Sequence, residues 1–217
     1  MEEMSKRALL PLVAILIVVG GVSIAIASGG GGKKSPKLPG NAHSAKSASF
    51  DGAFANPPKP APPTVLDDHL GHQVSLAQDR GKVVLLTFLY THCPDVCPLI
   101  TANLHATLGK LGANASKVRV VAVSVDPRGD TPKAVAAFLK VHDMTGRMEY
   151  LLGSASKLGA VWKEWNVGSQ RDASNPQFVA HSGLVYGIAA SGRVTTLYPA
   201  NFKPSQIVHD VPLLLQR

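Results

Sequence analysis

Two near-continuous apolar runs, residues 82–90 and 117–125, constrain this chain more than anything else in its 217 residues. A strand with one face in water alternates apolar and polar side chains. A run of strand length without that alternation describes a strand covered on both faces. Strands of that kind belong to sheets with helices packed against them. The intervening segments agree. Ile100, Leu104, Leu108 and Leu111 recur at helical spacing after the first run. After the second, Asp130 or Thr131 is placed to cap a helix beginning at Pro132, with Val135, Phe138, Leu139 and His142 along its inner side. Residues 149–152 read as a short strand, and Ser154 caps a helix turning Leu158, Val161, Trp162 and Trp165 inward. Upstream, 64–66 and 73–76 bracket a polar turn as a short hairpin. Downstream, 183–189 and 193–198 flank Ala190-Ser191-Gly192 as a second hairpin. A last helix starts at Pro204 with Ile207, Val208, Val211, Leu214 and Leu215, kinked or ended early at Pro212.

The order hairpin, β, α, β, α, β, α, β-hairpin, α predicts an α/β domain over 64–217: a thioredoxin-like mixed sheet flanked by helices, with an N-terminal hairpin and parallel central strands. Ahead of it the composition changes twice. Residues 8–28, after a tail at 1–7, hold no charged side chain. They are long enough for one transmembrane helix, which takes ~20 apolar residues. Ser23, Ala25 and Ala27 resemble the exit of a cleaved signal peptide, but the length favours an uncleaved anchor. No cysteine lies near the span, which argues against lipid attachment. Lys6 and Arg7 precede the span and Lys33, Lys34, Lys37 and Lys46 follow it, so counting alone would keep the domain inside. A short basic tail on a first apolar helix is nonetheless the signal-anchor arrangement. The expectation is a single-pass protein of the cell membrane with its domain on the extracytoplasmic side.

Residues 29–63, rich in Gly, Pro, Ser, Ala and Lys, read as a tether, flexible first and semi-rigid toward its prolines. Tail and tether also carry half of the formal charge of +8: residues 1–60 hold seven Lys/Arg and three acids, residues 61–217 fifteen and eleven. The folded part shows no Arg/Lys cluster interleaved with aromatics, which speaks against nucleic acid.

In open α/β sheets, sites collect at the carboxyl ends of strands. The first apolar run ends at Tyr90 and leads into Thr91-His92-Cys93-Pro94-Asp95-Val96-Cys97-Pro98, which holds both cysteines of the chain. With a helix from Pro98 onward, Cys97 sits at or just before the first turn and Cys93 in the loop leading into it. Positions i and i+4 share a helical face, so both sulfurs can point at one spot. The positive end of the helix favours thiolate over thiol. A disulfide closing so short a loop removes little chain entropy, so placement points to function: a soft metal ion, or a reversible disulfide. Thioredoxin-type exchange normally uses two intervening residues, and here there are three.

Two sulfurs leave a metal under-coordinated, and eight histidines are available as a third ligand. His43 lies in the tether, His69 and His72 in the hairpin turn, and His105 and His209 on helices. His142 closes an apolar stripe. His92 adjoins Cys93, but the backbone turns it from the sulfurs; it is a candidate to lower the thiol pKa. His181 sits in a loop, 175–183, just before the second hairpin. In a thioredoxin-type sheet that loop faces the cysteines, and spacing alone leaves its role as a ligand open. Asp95 and Asp126 read as cap and turn residues, because carboxylates prefer harder ions.

Residues 88–98, 124–132 (Ser124-Val125-Asp126-Pro127-Arg128-Gly129-Asp130-Thr131-Pro132) and 179–182 (Val179-Ala180-His181-Ser182) together resemble the SCO/SenC family of copper-binding, thioredoxin-like assembly proteins. The resemblance runs in order over 64–217 and implies that Cys93, Cys97 and His181 bind copper, as Cu(I) or Cu(II). It also implies a partner, the copper-bearing subunit of cytochrome c oxidase. The family loads the binuclear copper site of that enzyme or keeps its thiols reduced. This chain departs from the family pattern at Ala180, where an Asp usually precedes the histidine. It departs again across 186–192, where an Asp-Pro-x-Gly turn is usual. The ligand set survives both departures; an acid placed to hydrogen-bond His181 does not. Two thiolates and an imidazole suit soft, low-coordinate Cu(I), whereas structural zinc takes four ligands. The expected function is a membrane-tethered copper chaperone. The alternative is an extracytoplasmic thiol-disulfide oxidoreductase with Cys93 and Cys97 as its catalytic pair. A peroxidase is disfavoured, since no Thr-x-x-Cys with a partnering Arg accompanies the thiols.

Overall fold

The computed structural model describes residues 49–171 and 179–217; the apolar stretch at 8–28 lies outside them. Among the described residues no helix is long and apolar enough to cross a membrane. The strands are β1 (Ala53–Pro60), β2 (Val65–Asp68), β3 (Gln73–Ser75), β4 (Val83–Leu89), β5 (Val118–Ser124), β6 (Glu149–Leu152), β7 (Ser169–Arg171), β8 (Val179–His181), β9 (Leu184–Ile188) and β10 (Arg193–Pro199). The α-helices are α1 (Val96–Lys110), α2 (Pro132–Val141), α3 (Ala155–Glu164) and α4 (Pro204–Leu214).

Eight strands form one mixed sheet in the order β1-β10-β9-β4-β5-β6-β2-β3. β4, β5 and β6 run parallel at its centre. All seven residues of β4 are buried, as its lack of alternation requires. Fully burying a Leu or Phe stabilises by about 1.5–3 kcal/mol, and β4 alone contributes Leu85, Leu86, Phe88 and Leu89 to the core. The helix signals also hold. The Thr131 hydroxyl accepts the Ala134 N–H ahead of Pro132, and the Ser154 hydroxyl accepts the Lys157 N–H. Helix α4 continues two residues past Pro212, so the proline marks its last turn rather than an early end.

The domain begins earlier than its composition indicates. Ala53–Pro60, assigned above to the tether, is an edge strand antiparallel to β10, with a register shift between Phe54 and Lys59. Its three prolines are tolerated because an edge strand can turn N–H-less positions outward. A clasp fixes its start. The carboxylate of Asp210 on α4 accepts the Asp51 N–H at 2.8 Å and the Gly52 N–H at 2.9 Å, and the Tyr198 hydroxyl donates to it at 2.8 Å. β9 is antiparallel to β4, β10 to β9, and β1 to β10. β1 therefore starts at the same end of the sheet at which β4 finishes.

A second departure concerns the segment before β9. Its described ends are not loop: β7 and β8 pair antiparallel as a separate two-stranded ribbon, with Ser169 opposite His181.

Candidate metal centre

β4 delivers the chain to the carboxyl edge of the sheet, where the Cys93 N–H donates to the Tyr90 carbonyl at 3.3 Å and turns it into α1. The helix starts at Val96, two residues before Pro98, so Cys97 lies inside its first turn. Asp95 occupies the N-cap position, but its side chain makes no cap bond. The sulfur of Cys93 does that work, accepting the Cys97 N–H at 3.4 Å. A helix N-terminus presents unpaired donors and partial positive charge, so a sulfur capping it is held as thiolate.

The two thiols divide the charge unequally. The Cys97 thiol donates to Cys93, and His181 and the backbone N–H groups of Asp95 and Cys97 add to that. Together they hold Cys93 well below the ordinary thiol range against the opposing effect of burial. Cys97, donating to a neighbouring thiolate and itself buried, is pushed up. Both cysteines are free thiols. His92, considered above as a pKa-lowering neighbour, is exposed and shares a hydrogen bond at 3.0 Å with the Thr91 hydroxyl; the principal groups holding the thiolate do not include it.

β8 carries His181 back to this spot. Its Nε2 lies 3.6 Å from Cys97 Sγ, across 84 residues of sequence. Its Nδ1 is 3.3 Å from the Ser182 carbonyl oxygen. A carbonyl can only accept, so that contact places a proton on Nδ1, and Nε2 is the ring atom that faces the sulfurs. The Ser182 backbone thus supplies the orienting partner that the alanine at 180 cannot. Tyr90, buried beside the dithiol, packs its ring edge-on to the imidazole at 5.7 Å between centroids, and burial pushes its hydroxyl up to about 12.

Ligand bonds of about 2.3 Å to sulfur and about 2.0 Å to imidazole nitrogen, the zinc values, separate two donors by roughly 3.5–3.7 Å at tetrahedral or trigonal angles. The Cys97–His181 separation fits one shared ion. Among the described residues, the single trio of His, Cys or acidic donors all within 4.8 Å of one another is Asp51, His209 and Asp210. Cys93 is near enough for the ring to help stabilise its thiolate. The Asp51–His209–Asp210 trio is part of the clasp: the buried Asp210 carboxylate is saturated by Asp51 N–H, Gly52 N–H, Tyr198 hydroxyl and His209 Nδ1.

Beneath the cysteine loop lies a residue whose role the sequence concealed. Asp130 reads as a possible helix cap, yet Thr131 caps α2. Asp130 is buried and accepts the Thr91 N–H at 2.8 Å, the Ser124 hydroxyl at 2.6 Å and the Tyr150 hydroxyl at 3.0 Å. Burial still raises its pKa despite these donors. Asp126 accepts the Arg128 N–H at 3.2 Å, the turn role expected of it, and Asp95 is exposed.

A dithiol at the start of the helix that follows a central strand, facing an imidazole from a later segment, defines a thioredoxin-like protein with a thiolate–imidazole centre. The SCO1/SenC family model matches residues 56–216, and the chain belongs to that family. It is 37% identical over 154 residues to the SCO1 protein homolog of Bacillus subtilis (strain 168), covering 69% of this chain and 79% of that one. It is 32% identical over 149 residues to the mitochondrial SCO2 homolog of Bos taurus, covering 66% of this chain and 55% of that one; the chain thus spans about half the length of the mitochondrial relatives it matches. The structure of Bradyrhizobium japonicum ScoI with copper bound is similar at 28% identity and a TM-score of 0.63, covering 70% of this chain and 97% of that one. Homologous Sco structures, including that of Arabidopsis thaliana ScoI, are solved with copper bound. BsSco, at 24% identity and a TM-score of 0.63 over 75% of this chain and 98% of that one, shares the fold and is described as a member of the Sco family of cytochrome c oxidase assembly proteins.

Proposed function

We propose that this chain is a membrane-tethered copper chaperone. In this reading Cys93, Cys97 and His181 hold one copper ion for the binuclear site in the copper-bearing subunit of cytochrome c oxidase. The observation that carries the ligand set is the approach of His181 Nε2 to Cys97 Sγ at 3.6 Å. Two sulfurs and a neutral imidazole form a donor set that selects a soft monovalent ion. The copper-bound relatives support the cargo, the uncharged stretch at 8–28 supports a single-pass anchor, and the short basic tail ahead of it, as in a signal anchor, supports a domain on the extracytoplasmic side. The residues divide the work. Cys93 meets the ion already as thiolate, Cys97 gives up its proton on ligation, and the Ser182 carbonyl turns Nε2 toward the sulfurs. Burial of both sulfurs limits contact with water and oxidants.

The test is metal analysis with thiol titration of the full chain loaded with Cu(I), wild type against His181→Ala. Wild type should hold about one copper with two reactive thiols in the apo form, and the variant should bind about 10- to 100-fold more weakly or worse. Equal affinity in the two proteins would remove His181 from the site.

A second reading, a thiol-disulfide oxidoreductase acting on the thiols of the same client, draws on the unequal thiols. A thiolate at Cys93 beside a protonated Cys97 is the arrangement for attack on a disulfide followed by resolution. It predicts dithiol exchange that survives His181→Ala and is indifferent to copper.

A further inference from the structure

His181 does not stand on the main sheet. It ends β8, in a ribbon whose only described β partner is β7. Two-stranded ribbons are marginal in water and need outside contacts to hold a fixed position. One polar anchor of this ribbon is on the strand opposite the ligand. Ser169 is the register partner of His181, and its hydroxyl donates to the Val125 carbonyl at 3.1 Å. Val125 directly follows β5, at the strand end that also holds the cysteine loop: the Val125 N–H donates to the Leu89 carbonyl at 2.9 Å. The next residues out form the Asp126–Asp130 turn, and Asp130 accepts the Thr91 N–H two residues before Cys93. The ribbon and the cysteine loop are thus both tied to the end of β5. Next to the hydroxyl the ribbon borders an open groove of about 270 Å³ lined by Val125, Pro127, Arg128, Trp162, Ser169 and Val179; on the other strand Val179 is buried and its backbone is hydrogen-bonded to the Tyr90 hydroxyl.

We infer that Ser169 is a positioning residue for His181: its hydroxyl ties the ribbon to the end of β5 and thereby sets where the imidazole lies relative to the two sulfurs. The inference rests on the copper-binding reading of His181 and adds a residue that no ligand motif contains. Alanine at 169 keeps both strands but releases the tie, so the imidazole samples positions farther from Cys97. Threonine keeps a hydroxyl and suits a strand.

The experiment is competition for Cu(I) between the full chain and a chromophoric Cu(I) chelator, run on wild type, Ser169→Ala, Ser169→Thr, His181→Ala and the Ser169→Ala/His181→Ala double variant. The loss of one hydrogen bond predicts weakening of about three- to tenfold for Ser169→Ala. Ser169→Thr should stay within about twofold of wild type. In the His181→Ala background Ser169→Ala should change nothing, because the residue acts only through the imidazole. A merely structural Ser169 would weaken binding equally in both backgrounds, and that result overturns the inference. So does unchanged affinity in Ser169→Ala while His181→Ala is weakened; the copper reading then stands alone. Unchanged affinity in His181→Ala overturns both.

Discussion

Replacing Asp130 by alanine removes the acceptor on which the floor of the centre rests. Three donors converge on it: the Thr91 N–H at 2.8 Å, the Ser124 hydroxyl at 2.6 Å and the Tyr150 hydroxyl at 3.0 Å. A buried donor deprived of its acceptor costs about 1–3 kcal/mol, which sets an upper bound of about 9 kcal/mol for three. Two effects lower it. The hydroxyls can rotate toward other acceptors, and burial opposes the wild-type carboxylate itself, as its raised pKa records. The net loss is about 2–4 kcal/mol, toward the upper end of single substitutions. Asparagine preserves the shape and an oxygen for the Thr91 N–H, so Asp130→Asn should cost about 1 kcal/mol. Urea denaturation of the apo chain followed by tryptophan fluorescence measures both. Trp162 is a local reporter, since its indole N–H donates to the Ser124 carbonyl at 2.9 Å.

The pH dependence has a fixed sign. A carboxylic acid whose native pKa lies above its unfolded value of about 3.9 contributes stability that is present in full below that value. The contribution is lost as pH rises through the raised native value. The advantage of wild type over Asp130→Asn should therefore shrink with rising pH. A loss under about 0.5 kcal/mol in Asp130→Ala, the range of an ordinary surface change, would refute the floor role. An advantage over Asn that grows with pH would refute the assignment of the shift.

The Asp210 clasp gives a second prediction. Asp210→Ala takes the acceptor from the Asp51 and Gly52 N–H groups and leaves the Tyr198 hydroxyl with Thr196 alone, a loss of about 2–4 kcal/mol. Protease cleavage within 53–60 should accelerate before global unfolding, and a cleavage rate equal to wild type would count against the clasp. The third concerns two histidines on opposite sides of the ordinary value near 6.5. Asp210 first, with Asp51, raises His209, so its stabilising charge is present at low pH and lost as pH rises through the raised value; burial lowers His142. Proton NMR titration should show His142 titrating below His209, and the reverse order would exclude these causes.

Where the pattern was dense the sequence was legible. Unbroken burial at β4, burial of the last five residues of β5, Thr131 before Pro132 and Ser154 before α3 each follow from an apolar run or a start signal. β1 was hidden because Pro57, Pro58 and Pro60 write the composition of a linker, and only an edge position admits them. The β7–β8 ribbon was hidden because Ser169-Gln170-Arg171 and Val179-Ala180-His181 are too short to show a period. The cysteine pair announced itself by spacing and placement. The approach of His181 did not, since no local rule measures a separation of 84 residues; the family resemblance supplied it. The cap was met by Thr131, the second of the two candidates; the acceptor role of Asp130 stayed hidden because a cap and a buried acceptor call for the same residue type just before a helix.

The strand directions have a consequence for presentation. β1 starts at the rim where β4 ends, three strands away across β10 and β9, or roughly 14 Å at ordinary interstrand spacing. The first strand of the domain and its dithiol therefore open on one rim of the sheet, and a substitution at either is made on the same side of the fold.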